Sequence, residues 1–259
     1  AVRASTTPNK TVNFYNYTQP TKKIILQEQT TMGITNFCVL GERVSGTCML
    51  RSLLAQNILG FKAVEFNHKH FFQDIDEIRR ADTTRTLFVH ITREPIAWVK
   101  SMCKTCYHTH QSLKKKDVST FMRKEWHCVE DESSVVYQES PLYGKEMLHE
   151  RNPSTGQRFK NVLSKRSWKI ARTMALRKTT ENFVHVSLGD LQLDSEPFLA
   201  KICSAYNLRR SGNLIPVTTV RGKGKVLYKP TVYPELSQDD EEYVLQELDL
   251  EAEAMVGYC

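Results

Sequence analysis

Thr35-Asn36-Phe37-Cys38-Val39-Leu40-Gly41-Glu42-Arg43-Val44-Ser45-Gly46-Thr47-Cys48 is the stretch on which the reading of this chain turns. Its first six residues are short, apolar and β-prone, as in a buried strand that stops at a glycine. From Thr47 to Gly60 the pattern changes: Met49, Leu50, Leu53, Leu54, Asn57 and Ile58 recur at helical spacing, and Gly60 is a helix stop. Between strand and helix lies a loop bounded by Gly41 and Gly46. Glycines permit a tight turn, and the unpaired N–H groups that open a helix attract an anion. The spacing Gly-x4-Gly is that of a nucleotide-triphosphate loop, but the phosphate lysine is replaced by Thr47 and the magnesium-binding hydroxyl by Cys48. The pattern therefore predicts an anion cradle working without a metal. A plain glycine-containing turn is the alternative.

Working outward, Lys62–Phe66, Leu87–Ile91 and Phe183–Ser187 read as further strands. Helices are expected from about Pro95, around Val118–Trp126, over Phe159–Lys178 as a long basic helix, over Pro197–Tyr206, and as an acidic helix over about Ser237–Met255. The order strand–loop–helix, strand, strand–helix, strand–helix predicts a single α/β domain with a central, mostly parallel sheet flanked by helices. Residues 1–33 read as an N-terminal arm and 34–259 as the domain. The polar, irregular stretch 107–158 reads as an insertion shaping an acceptor pocket. In such sheets ligands sit at the carboxyl ends of the strands. That places the first loop, residues 67–72, 92–94 and 188–191 along one edge.

Composition narrows the class. Of 259 residues, 40% are hydrophobic and 25% charged, and there are 11 Gly and 9 Pro. Collagen-like, low-complexity and disordered chains are excluded, and no apolar run approaches the roughly 18 residues of a membrane span. Lys and Arg number 36 against 29 acidic residues, a net charge of +7 that suits an anionic partner: nucleic acid, acidic glycan or nucleotide. Seven cysteines at irregular spacing do not make a small disulfide scaffold. The chain begins at Ala1 and not at Met, leaving room for an upstream segment. No signal peptide is visible, and Asn9 and Asn16 sit in glycosylation triplets, a faint luminal signal.

Two more constellations carry chemistry. Strand 87–91 leads into Thr92-Arg93-Glu94-Pro95, and Ser101 lies two helical turns beyond. An arginine at a strand end and a serine on the following helix can clamp one phosphate; a capping arginine with an incidental serine is the plain alternative. Strand 62–66 ends in Asn67-His68-Lys69-His70-Phe71-Phe72. A neutral imidazole can take a proton near neutral pH, and a cation such as Lys69 or Arg43 can stabilise a departing phosphate. A basic surface loop is the competing reading.

In order and spacing these motifs resemble sulfotransferases that use 3′-phosphoadenosine 5′-phosphosulfate (PAPS), over about residues 37–256. In that family a basic-Ser-Gly-Thr loop binds the 5′-phosphosulfate, and an Arg-(Asp/Glu/Asn)-Pro…Ser segment binds the 3′-phosphate. Ser45-Gly46-Thr47 and Arg93-Glu94-Pro95…Ser101 match. Arg221-Gly222-Lys223-Gly224-Lys225 resembles the family's basic, glycine-rich loop before the last helix. The residue before Ser45 is Val44, with the cation one position earlier at Arg43, and the family's Tyr-Glu-Asp-Leu is here Leu188-Gly189-Asp190-Leu191.

The resemblance implies a metal-independent sulfuryl transfer from PAPS, leaving 3′-phosphoadenosine 5′-phosphate (PAP), to a hydroxyl or amine of a small molecule or glycan. The cofactor would be held by Arg43, Val44, Ser45, Gly46, Thr47, Cys48, Arg93, Ser101, Arg221, Gly222, Lys223 and Lys225. His70-Phe71-Phe72 is similar to the His-Phe-Phe of glycan-type members, whose base lies two residues before the histidine, at His68 here. In cytosolic members the histidine itself is the base, which points to His70. Cytoplasm and Golgi lumen both remain open.

Three other readings compete. One is a phosphate-loop kinase. Another is a polyanion binder using Lys114-Lys115-Lys116 and Lys160, Lys165, Arg166, Lys169, Arg172, Arg177 and Lys178 of the basic helix, a face that is otherwise solvated. The third is a zinc site at Cys103-x-x-Cys106-x-His108-x-His110, disfavoured because the two histidines are too close for the usual spacing and because Tyr107-His108 resembles a Tyr-His of the sulfotransferases.

Overall fold

A computed structural model describes residues 24–26, 33–66, 70, 72, 78, 83–131, 141–219 and 226–258. The expected α/β domain is present. Five strands lie in the order β1-β5-β4-β2-β3: β1 (Ile25–Leu26), β2 (Asn36–Leu40), β3 (Lys62–Ala63), β4 (Thr86–Thr92) and β5 (Phe183–Ser187). Strands β2 to β5 pair in parallel, and β1 joins β5 antiparallel at one edge, inside the stretch expected to be a lead-in arm. The two central strands are buried at every position, as parallel strands covered on both faces must be.

Helix α1 (Thr47–Asn57) returns the chain from β2 to β3. It covers one face of the sheet together with α5 (Leu188–Leu193) and α6 (Glu196–Ala205), which follow β5. Leu50, Leu53 and Leu54 of α1 and Phe198, Leu199 and Ile202 of α6 meet Phe37, Val39, Val89 and Val184 there. The opposite face takes Ile170 and Met174 of α4 (Val162–Ala175) and Ala252 of α8 (Leu250–Met255).

A second apolar cluster lies beside the sheet. It joins α2 (Pro95–Lys104), α3 (Val118–Arg123), the start of α4 and α7 (Gln238–Glu247) around Trp98, Phe121, Trp126 and Leu163. Residues 107–158 are thus less irregular than their polarity implies, since Leu113, Phe121, Met122, Trp126, Cys128 and Met147 are buried.

Several boundaries differ from expectation. The strand read over Lys62–Phe66 pairs only at Lys62 and Ala63, on an exposed edge where burial does not enforce pairing. Residues 188–191, placed along the ligand edge, form the first turn of α5, capped by the Ser187 side chain on Asp190 N. The long basic helix starts at Val162, where Asn161 and Ser164 form a reciprocal cap. The acidic C-terminal helix breaks between Glu247 and Leu250, because Asp249 caps a new helix through Glu251 N and Ala252 N. Among the described residues, no helix is long and apolar enough to cross a membrane.

The topology sets the position of the site. After β2 the chain moves outward to β3; after β4 it moves the other way, to β5. The loops leaving the carboxyl ends of β2 and β4 therefore diverge, which opens a crevice at the strand-order switch. Gly41 sits at its floor, and a Cβ there would meet Ile91 O at 2.5 Å. Gly41→Ala is expected to lower stability by about 1–3 kcal/mol, read as a lower urea midpoint at unchanged slope. Gly33→Ala, with nothing within 4 Å of the added carbon, serves as its control.

Candidate functional site

The loop between β2 and α1 is held by its carbonyls. Gly41 O accepts from His70 Nδ1 (2.9 Å), Glu42 O from Ser45 N (3.3 Å), Arg43 O from Trp98 Nε1 (3.0 Å) and Val44 O from Arg93 Nη1 (3.4 Å). The next residues reverse the chain: Val44 has φ 56° and Gly46 φ 90°. A left-handed valine is strained and persists only where its surroundings enforce it. Gly46 then opens α1 with no side-chain cap. An uncapped helix start with the preceding carbonyls already satisfied is a site for an anion.

Beneath the loop lies a buried ionic network. Lys165 Nζ on α4 contacts Glu42 Oε2 at 2.7 Å and Glu150 Oε2 at 2.6 Å. Arg43 Nη1 contacts the same Glu150 oxygen at 3.2 Å, and Lys169 Nζ lies 3.6 Å from Glu42. Trp126 backs the cluster, with its centroid 4.7 Å from Lys165 Nζ and its Nε1 donating to Glu150 Oε2 at 3.4 Å. Burial by itself would raise the carboxyl pKa values. Lys165, Lys169 and Arg43 instead hold Glu42 well below the ordinary range, and Arg43 and Lys165 bring Glu150 down to about 2.

Among the described residues, three cations face two carboxylates in this network, a surplus of positive charge next to the loop. Among the same residues, Arg43 Nε and Nη2 find no hydrogen-bond partner. Lys169 carries the strain of the imbalance: burial first, then Lys165 and Arg43, outweigh Glu42 and Glu150 and lower its pKa to about 8.

His70 lies at the edge of this network. Because Gly41 O can only accept, the 2.9 Å contact places the proton on Nδ1 and makes Nε2 the basic nitrogen. Burial, with Lys169 and Arg43 nearby, holds the imidazole pKa well below its ordinary value, so the ring is neutral at physiological pH. Lys169 Nζ also donates to the His70 carbonyl.

On the other side of the loop, Arg93 and Ser101 come together through Tyr233. The Tyr233 ring centroid lies 5.9 Å from the Arg93 guanidinium, and its hydroxyl donates to Ser101 Oγ at 3.1 Å. Glu94 caps α2 through Ile96 N (2.8 Å) and Ala97 N (2.6 Å), which is the physical use of the acid before Pro95. Arg166, paired with Glu253 at 2.7 Å, donates to Arg93 O at 2.9 Å and fixes that turn.

The structure thus gathers Arg43, Val44, Ser45, Gly46, Thr47, Cys48, His70 and Arg93 around one loop, with Ser101 reached through Tyr233. Arg43 is enclosed against Glu150 and does not stand exposed on the loop. His68, Lys69, Arg221, Gly222, Lys223 and Lys225 lie outside the described residues. Sequence reasoning missed Glu42, Glu150, Lys165, Lys169, Trp98 and Tyr233. Lys165 and Lys169 were legible in principle, since cations at i and i+4 among the apolar positions of an amphipathic helix require buried carboxylates.

The same burial corrects the reading of α4 as a polyanion track or a solvated face. Lys165, Arg166 and Lys169 are buried among carboxylates and offer no charge to an external backbone, and Lys160 pairs with Glu247. Among the described residues no three metal-ligating side chains converge. Cys106 Sγ donates to Cys103 O, His108 lies 3.6 Å from Asp131, and His110 stacks on His127 at 4.2 Å.

No protein-family model matches this chain, and no curated protein matches it either.

Breaking the network from the acid side should be costly. Glu150→Gln is expected to destabilise by about 3–5 kcal/mol, because Lys165 and Arg43 would stay buried with one carboxylate fewer. In the wild type, Glu150 contributes stability above its ordinary pKa of 4.5 that is lost as pH falls towards 2. Lys169 acts with the same sign in a higher pH window. Its folded pKa of about 8 lies below its ordinary 10.5, so the folded chain releases that proton first and gains stability between those values. Lys169→Met should remove that alkaline gain and destabilise far less than Glu150→Gln at pH 7, both read by urea titration across pH.

Proposed function

We propose that this chain is a PAPS-dependent sulfotransferase acting on a hydroxyl or amine, with a saccharide as the favoured acceptor. One observation carries the reading: an uncapped helix start in the crevice between β2 and β4, with Arg93 on one side of the loop and a neutral histidine on the other. The sequence motifs agree with it in order and spacing.

In this reading the 5′-phosphosulfate lies on Ser45, Gly46, Thr47 and Cys48, held by backbone N–H groups and hydroxyls. Arg93 and Ser101 hold the 3′-phosphate, and Tyr233 turns aside or adds its own hydroxyl to that anion. Arg221, Gly222, Lys223 and Lys225, outside the described residues, are the further nucleotide contacts that the sequence resemblance implies. His70 Nε2 takes the proton of the acceptor. The acceptor oxygen or nitrogen bonds to sulfur as the bond from sulfur to the phosphate oxygen breaks, and PAP departs with that electron pair. The surplus charge of Arg43 and Lys169 stabilises the developing negative charge on the phosphate. The transition state is served by positioning and electrostatics, as in phosphoryl transfer, and no covalent enzyme intermediate is involved. His68 and Lys69 stand as the alternative base and an additional cation.

The kinase reading is less well supported, because Thr47 and Cys48 occupy the positions of the phosphate lysine and the metal-binding hydroxyl. PAP should raise the unfolding temperature more than its 3′-hydroxyl counterpart does. Arg93→Ala should weaken PAP binding about 10- to 100-fold while barely changing the 3′-hydroxyl nucleotide; equal losses would refute the phosphate clamp. His70→Ala should lower kcat about 10²- to 10⁴-fold with PAP affinity retained, and full activity in that variant would move the base elsewhere. Turnover should survive chelation by EDTA.

A further inference from the structure

A cleft of roughly 530 Å³ opens beside Tyr233. Lys100 and Lys104 of α2 form one wall, and Lys114, Lys115 and Lys116 from the turn before α3 form another. Tyr233, Val232 and Pro234 close the third side. Lys114 pairs with Asp131. Among the described residues, no carboxylate lies within 4 Å of the Lys100, Lys104, Lys115 or Lys116 ammonium group. Asp117 also lines the cleft, but its carboxylate is engaged in capping α3 through Thr120 N and Thr120 Oγ1, both at 2.8 Å.

The lysine turn is built into the fold. Cys103 Sγ on α2 donates to Lys116 O at 3.3 Å, Lys114 N donates to Gln111 O, and the Asp117 cap fixes the far end. Lys115 sits at φ 55°, a conformation that a lysine adopts at a cost. Convergent like charges repel one another and destabilise the compact chain unless an anion lies between them. A fixed scaffold that holds them together is therefore preorganised for such a ligand.

We propose that this cleft binds a short anionic saccharide, with its sulfate or carboxylate groups on Lys100, Lys104, Lys115 and Lys116. The volume suits a ligand of a few sugar rings. Among the described residues no arginine lines the cleft, so they offer no planar, bidentate geometry of the kind that favours phosphodiesters, and their ammonium groups act as point charges for sulfate. Among the described lining residues Tyr233 is the one aromatic. Its ring already faces the Arg93 guanidinium at 5.9 Å and Lys104 Nζ at 5.7 Å, so it offers little platform for stacked bases. The site stands without sulfuryl transfer and without the nucleotide.

Calorimetric titration with a sulfated glycosaminoglycan tetrasaccharide tests this, beside its desulfated counterpart, a single-stranded oligonucleotide and a polyglutamate peptide of equal charge. The sulfated tetrasaccharide should bind tightest, and the desulfated one, left with its carboxylates alone, at least tenfold more weakly. Lys100→Ala with Lys104→Ala, and separately Lys115→Ala with Lys116→Ala, should each weaken it about tenfold. Each pair should also lower the salt dependence, by up to about one in log–log slope per lysine. The matching Lys→Arg pairs should retain binding. PAP thermal shifts, measured on the same variants, report separately on the nucleotide site. Unchanged tetrasaccharide affinity in both alanine pairs would overturn the proposal, as would equal or tighter binding of the oligonucleotide or the peptide.

Discussion

The contact of Lys165 Nζ with both Glu42 and Glu150 is the constraint on which the site depends. It joins three distant parts of the chain: the loop after β2, the end of the 107–158 stretch, and α4. An ion pair removed from water is favourable only if its partners are close and its remaining valences are used. That requirement fixes Glu42, and Glu42 fixes the turn, since its side chain also accepts from Arg43 N at 2.8 Å. The network leaves a surplus of positive charge beneath an uncapped helix start. The loop is thus prepared for an anion by two independent means, amide dipoles above and buried cations below.

The geometry of the loop follows from where its carbonyls go. Four successive carbonyls, Gly41 to Val44, are taken by an imidazole, a backbone amide, an indole and a guanidinium. Each donor sits on a different segment, so the packing of Trp98 against Arg166, at 5.0 Å, bears on the loop as directly as any residue within it. His70 obtains its tautomer from the same arrangement. The ring and the loop share one carbonyl, which holds His70 in fixed relation to the start of α1.

The sheet and its principal helices were readable from hydrophobic period alone. Val39, Val89 and Val184 lie in strands whose apolar runs have no other use, and α1, α2 and α6 follow their apolar patterns closely. The failures were local and physical. Phe66 did not extend β3 because an edge strand lacks a second neighbour to enforce pairing. Asp249 divided the last helix because its side chain competes for backbone N–H groups. The basic helix looked like a charged surface because composition reports charge and says nothing of which partner each charge will find.

By itself the sequence determined the α/β class, the glycine-bounded loop at the end of β2, and the placing of Arg93 at the end of β4 with Ser101 on the helix that follows. These are local properties, carried by period, glycine placement and residues within a few turns of one another. Only the tertiary structure decided that Arg43 is enclosed with Glu150, that Lys165 and Lys169 lie under the loop, that His70 donates to Gly41, and that Tyr233 lies between Arg93 and Ser101. Those contacts join residues 29 to 140 positions apart. The energy of a buried charge depends on which partners the whole fold brings within about 3 Å, and no local pattern contains that information.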